Sequence, residues 1–143
     1  MNRILAIALI FASTLFVAGT SSAQEHRVKV TVPFYFTVGD FTVPAGTYMI
    51  DSAANAPDVL VLWNLQKGIK VVTTGRPNQS NPERISALVF HKYGNQYYLS
   101  QIRTEGASIN VDFSATKAEK MARARIEMAG RFVDDPVLIA LNQ

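Results

Sequence analysis

The chain has 143 residues, with 14 Lys and Arg against 11 Asp and Glu, two His and no Cys. So balanced a charge argues against a nucleic-acid binder. The lack of cysteine excludes a disulfide framework, a thiolate metal site, a cysteine nucleophile and a lipidated N-terminus.

The first element in chain order is an export signal. Asn2 and Arg3 give a short positive start, residues 4–18 form an apolar run broken only by Ser13 and Thr14, and Ser21-Ser22-Ala23 comes next. That order of charge, apolar stretch and small residues at the −3 and −1 positions is what a signal peptidase recognises. Residues 1–23 are therefore read as a cleavable signal peptide and residues 24–143 as a single β-rich domain. An uncleaved anchor is the alternative, but the run is shorter than the ~20 apolar residues that span a bilayer, and no basic stop-transfer flank follows it. The expected location is exported, periplasmic or extracellular, with no transmembrane span after signal removal. Arg3 leaves with the signal, so 13 Lys and Arg face 11 Asp and Glu, a mature charge of +2. The 120 residues left from 143 after removing 23 allow one modest core.

In the mature chain, Val28, Val30, Val32, Phe34, Phe36 and Val38 occupy every even position, which predicts a half-buried strand over residues 28–38. Pro33 lies on its outward face, which places the strand at an edge or a bulge. Gly39-Asp40 turns the chain into a short strand at residues 41–43. Pro44-Ala45-Gly46 is turn chemistry, and Tyr48 and Ile50 continue the alternation. Residues 59–63 are apolar on both faces and read as a central, doubly covered strand. Lys67-Gly68 turns it into a β-branched run at residues 69–74. Residues 75–83, with Pro77 and Pro82, read as a polar, slack loop.

The strongest local signal spans residues 85–104, where Gly94-Asn95 sits between two strand-like runs as a hairpin loop. The implied register sets Phe90 opposite Leu99 and His91 opposite Tyr98. Residues 109–113 suggest a further strand. Thr116 and Glu119 then have capping-box spacing, Ala118, Met121, Ala122 and Ala129 share a helical face, and Gly130 is a C-terminal cap. Residues 137–141 form a last strand. The sum is a mainly β fold, a small antiparallel barrel or sandwich of about eight strands with one α-helix in the C-terminal region.

Several stretches resemble an uncharacterised family of small exported β-rich proteins of acidobacteria and related soil bacteria. They are Val32-Pro33-Phe34-Tyr35-Phe36-Thr37-Val38-Gly39, Pro44-Ala45-Gly46-Thr47-Tyr48, Phe90-His91-Lys92-Tyr93-Gly94 with Tyr97, Leu99 and Ser100, and Lys117-Ala118-Glu119. Such relatives often carry an acidic residue where this chain has Tyr35. The resemblance implies export and a β-rich fold, and it supplies no activity or site residue.

No constellation of residues reads as a catalytic centre. A Ser-His-Asp arrangement needs a base held by a third group, and only His26 and His91 are available. His26 falls at the mature N-terminus and His91 in a hairpin strand. Two separated histidines without cysteine make a poor zinc site, and Asp134-Asp135 lacks the ligand count that calcium demands. Lys117, Lys120, Arg123, Arg125 and Arg131 make the helix basic, which could serve an anionic surface. The pairs Glu119 with Arg123 and Glu127 with Arg131 explain the same charges as i, i+4 contacts. Most aromatic residues belong to the core. Tyr35, Tyr93, Tyr97 and Tyr98 are the candidate ligand-binding residues, and no catalytic, cofactor-binding or metal-binding residue is expected.

The expected function is that of a non-catalytic β domain binding a ligand or an envelope partner, with no cofactor and no nucleic acid. The alternatives are a carboxylate-dependent hydrolase and a structural envelope component. Processing is the part open to direct measurement. Intact mass of the protein recovered from an expressing bacterium is expected to place Gln24 first, and a product still carrying Met1 in the inner membrane would contradict it.

Overall fold

The computed structural model describes residues 27–53, 55–78, 85–105, 109–133 and 136–142. The signal segment, His26, Pro82 and the Asp134-Asp135 pair lie outside the described residues. The strands are β1 (Arg27–Val32), β2 (Phe36–Val38), β3 (Phe41–Val43), β4 (Gly46–Ala53), β5 (Ala56–Asn64) and β6 (Lys70–Thr74). They continue with β7 (Arg76–Pro77), β8 (Ala87–Tyr93), β9 (Gln96–Arg103) and β10 (Val111–Asp112), then helix α1 (Lys117–Met128) and β11 (Val137–Ala140). The fold is mainly β with one helix, as expected, and its curled sheets form a half-barrel or sandwich. Eleven strands are named rather than about eight because β2, β3, β7 and β10 are pieces of two or three residues.

One sheet has the order β1-β4-β5-β6, and the other β11-β8-β9-β10-β7, with β2 beside β9 and β3 beside β2. All pairings are antiparallel except the β2 to β9 contact at Thr37 and Tyr98. The inward rows are legible in the alternation: Val30, Val32, Ile50, Leu60 and Leu62 from the first sheet meet Phe36, Val38, Leu88, Phe90 and Ile102 from the second, all fully buried. Aromatic edges lock the middle, with Phe36 in edge contact with Tyr48 at 5.4 Å and Phe90 at 5.3 Å. Tyr48 keeps its polar end satisfied by donating its hydroxyl to the Pro44 carbonyl.

Residues 28–38 are not one strand. The chain leaves the first sheet at Val32 and joins the second at Phe36. Pro33 brings no N–H to a ladder, so pairing stops there without an orphaned donor. The alternation survives because both halves face the same core. The edge is also not open, since β1 carries β4 on one side and the Asn142 N–H donates to the Lys29 carbonyl on the other at 2.9 Å.

The chain returns to the first sheet between β3 and β4, and a third change of sheet occurs between β6 and β7. The Gly75 N–H still bonds the Asp58 carbonyl of the first sheet at 2.9 Å, while Arg76 and Pro77 pair with Asp112 and Val111 of the second. A Cβ at Gly75 would stand 2.1 Å from Val111 Cγ1 and 3.1 Å from the Asp112 carbonyl oxygen, so the corner needs a residue with no side chain. The segment expected to be slack is thus partly strand. Asn78 is anchored as well, its N–H on the Asn110 carbonyl at 2.8 Å and its Nδ2 on Asp112 at 2.9 Å.

Strand β5 is central in its sheet but covered on one face only. Leu60, Leu62 and Asn64 point inward, whereas Val59 and Val61 are partly exposed and Trp63 is exposed. In the second sheet the hairpin has the expected register, Phe90 opposite Leu99 and His91 opposite Tyr98, around Gly94 at φ +64°. Val89 pairs with Gln101 and Phe90 with Leu99, so Ser100 is an extra residue in β9. This bulge lets Leu99 and Ile102, three apart, both reach the core. Ser100 donates its hydroxyl to the Val89 carbonyl at 3.1 Å, which satisfies it there.

Helix α1 begins at the expected cap, with Thr116 Oγ1 accepting the Glu119 N–H at 3.2 Å. It ends in a Schellman motif, Arg131 N–H to the Ile126 carbonyl and Gly130 N–H to that of Glu127. Its inward line shares only Ala122 with the expected alanine and methionine face. Glu119 and Ala122 are the buried residues, Ile126 is partly buried, and Met121 is half exposed.

Two substitutions test these corners. Gly94→Val forces a branched side chain to positive φ and toward Ile126 Cδ1, which lies 3.6 Å from a Cβ built there. A loss of about 1–3 kcal/mol is expected. Gly75→Val, by overpacking against Val111, is expected to cost a similar ~1–3 kcal/mol. Lys120→Ala on the exposed helix face should stay within about 0.5 kcal/mol of the parent. Urea midpoints that coincide for all three variants would contradict both assignments.

Candidate binding face

Two regions of the fold gather polar or aromatic side chains beyond what packing requires. The first lies between helix α1 and the outer face of the β8–β9 hairpin. Tyr93 and Tyr98, two of the four candidate tyrosines, are brought together there with ring centroids 5.8 Å apart, but both are buried. Tyr97 points the other way and stacks on Phe34 at 3.9 Å, as part of the core margin. Tyr35 alone of the four is widely exposed, at 65 %.

In the sequence Glu119 is visible only as a capping residue and a partner for Arg123. Its side chain instead turns inward and accepts from His91 Nδ1 at 2.8 Å and, more weakly, from the Tyr93 hydroxyl at 3.4 Å. Arg123 pairs with Glu127 at 2.8 Å instead of with Glu119. A carboxylate this deeply buried is tolerable only with such donors around it. Ala122 and Ile126 complete the contact by packing on Tyr93 and Tyr98. Both groups shown meeting the Glu119 carboxylate come from β8 of the sheet, so this acid of the helix is a latch between the two. His91, opposite Tyr98, is held by a carboxylate, and among the described residues no serine or threonine hydroxyl is shown bonded to its ring.

Burial holds the Tyr93 phenol above the ordinary tyrosine range, and the negative charge of Glu119 adds to the rise against the opposing pull of Arg123. Tyr98 is raised for the same two reasons, with Arg125 opposing. Tyr48 is raised by burial, with the neighbouring Asn64 side chain opposing.

The second region is the outer face of the four-stranded sheet. Direct pairing sets Lys29, Met49, Trp63 and Lys70 in one row across all four strands, and Arg27, Asp51, Val61 and Val72 in the next. Trp63 is 40 % exposed in the middle of the sheet, with Lys70 Nζ 4.9 Å from its ring centroid. This is within cation–π range. Beyond it, the Thr31 and Thr47 hydroxyls are bonded to each other at 3.0 Å. The β5–β6 turn is built by Asn64 Oδ1, which accepts the amides of Gln66 and Lys67 at 3.1 and 2.9 Å. That turn brings Lys67 Nζ to 5.9 Å from the Tyr35 ring. The acid of these rows, Asp51, is engaged by Arg27 at 2.6 Å. Among the described residues no carboxylate pairs with Lys29, Lys67 or Lys70. Sequence reasoning places Trp63 in the core because an unbroken apolar run conceals which side of it is covered.

An open groove of about 440 Å³ lies where the chain changes sheets, between Asp58, Arg76 and Phe113. Among the described residues no cluster of three His, Cys, Asp or Glu could hold a metal ion, and no helix is long and apolar enough to cross a membrane.

The latch can be read by titrating the phenols. Ultraviolet absorbance is expected to show Tyr48, Tyr93 and Tyr98 ionising above the ordinary value near 10. Glu119→Gln should draw Tyr93 and Tyr98 back toward it and leave Tyr48 in place. Because the fold favours the neutral phenols, the stability they contribute is complete below about pH 10 and is lost as pH rises through their folded-state values. Identical titrations for parent and variant would remove Glu119 from the cluster.

No family model, curated protein or solved structure matches the chain.

Proposed function

We propose that the chain is an exported, non-catalytic β domain that binds a ligand or partner in the periplasm or extracellular space through the outer face of its four-stranded sheet. Export rests on the pattern of residues 1–23. Binding rests on one observation above the others: the single tryptophan of the chain stands exposed on the flat of the sheet, between Met49 and Lys70. Indole is the largest apolar ring a protein has, and burial or contact is its usual use. Val72, 58 % exposed, and the partly exposed Val61 extend the apolar surface around it.

The hydrolase reading would be favoured by two converging acids; the buried acid shown here, Glu119, meets His91 and Tyr93. The envelope-component reading would be supported by self-association through the edge strand near Pro33, whose Lys29 carbonyl accepts the Asn142 N–H.

Since Trp63 is the only tryptophan, its fluorescence reports on this face directly. Titration with a panel of soluble neutral and acidic polysaccharides is expected to shift that emission for at least one member. Calorimetry of Trp63→Ala with the same member should show affinity weakened by about tenfold or more, as for a central aromatic contact. Tight binding that Trp63→Ala leaves intact would place the binding surface elsewhere.

A further inference from the structure

We infer that the partner of this face is a carboxylate-bearing polysaccharide, one of whose sugar rings stacks on Trp63 while its carboxylates meet Lys29 and Lys70. The inference rests on the reading of this face as the binding surface and adds the chemistry of what binds. Three observations carry it.

The first is charge complementarity. Lys29 and Lys70 stand at the two ends of the row that holds Trp63, with Lys67 in the turn beyond, and no carboxylate of the described chain pairs with any of them. Asp51, the acid in the neighbouring row, is already neutralised by Arg27 at 2.6 Å. The face therefore offers cations without a compensating anion.

The second is spacing. Three strand-to-strand steps separate Lys29 from Lys70, which is ~14 Å between backbones. Long lysine stems adjust that span at little cost. A linear chain lying across the strands presents its rings and its acid groups to the whole row at once.

The third is the flatness of the platform. Trp63 sits mid-sheet with β4 on one side and β6 on the other, so its ring is part of a plane and not a projecting tip. A sugar ring has one apolar face of C–H groups that can lie on such a plane while its hydroxyls stay hydrated. Lys70 Nζ now occupies the position over the indole, 4.9 Å from its centroid. A carboxylate arriving with the sugar gives that ammonium a stronger partner than the ring and draws it aside. A bilayer, by contrast, is best engaged by a bulky apolar face that sinks below its headgroups.

The test uses polygalacturonate, alginate and hyaluronate oligosaccharides, each beside its fully methyl-esterified form, titrated into the purified full-length protein while Trp63 emission is recorded. At least one acid form is expected to bind, and esterification should weaken it by about ten- to a hundredfold. Added salt should weaken it as well, since exposed charges are screened. Lys29→Glu with Lys70→Glu should abolish binding without moving the unfolding midpoint, and Lys117→Glu with Lys120→Glu on the helix should leave it unchanged. Equal binding of acid and ester would overturn the inference while leaving the face as the binding surface. Acid-form binding that survives both Trp63→Ala and the double lysine variant would overturn the face itself. Binding to none of the acidic glycans, or to phosphatidylglycerol vesicles in their place, would overturn the inference.

Discussion

One constraint organises the molecule: two sheets must share a single core, and the chain must pass between them without burying an unpaired backbone group. Two of its three crossings are at Pro33, which has no N–H to lose, and at Gly75, which has no side chain to collide with Val111. These corners determine the inward pattern. Val30 and Val32 before the first corner and Phe36 and Val38 after it point into one interior, so a single alternating segment lines both walls. The Ser100 bulge does the same for β9 by re-aiming Ile102. With no cysteine to form a disulfide, the aromatic contacts among Phe34, Phe36, Tyr48 and Phe90 fix how the walls meet.

The helix is attached differently. It contributes Ala122 and Ile126 to a small cluster separate from the main core, and its deepest side chain is an acid. A buried charged group adds little stability once its desolvation is counted, yet its hydrogen bonds demand a single geometry. Glu119 thus sets where the helix sits on the hairpin more than how firmly it is held. Among the sequence-based candidates this also explains why Tyr93 and Tyr98 are not surface residues: they form the floor on which the helix rests.

Local features were legible in the sequence because their causes are local. The hairpin at Gly94-Asn95, the Thr116 cap and the Gly130 terminus each depend on a few adjacent residues. The sheet change at Pro33 was hidden because a period of two reports which side is buried and not which sheet supplies the partner. Residues 59–63 misled for a related reason, since Val59, Val61 and Trp63 have the composition of a core row while facing outward. Glu119 is joined to His91, 28 residues away, and no periodicity carries that distance. The binding face was the least legible part. It is assembled from one or two residues of each of four strands, and only the register brings Lys29 level with Lys70.

The contact between Lys29 and Asn142 ties the first described strand to almost the last residue of the chain. Closure of the half-barrel is therefore the most non-local of the described pairings, and it is not complete until residue 142 reaches β1. Until then β1 keeps an open edge, and assembly is expected to be slow on the scale of small domains, as for other folds dominated by distant pairings. The same arrangement makes the C-terminal strand a closing stave, so a chain shortened before Val137 would retain both corners and still have an open wall.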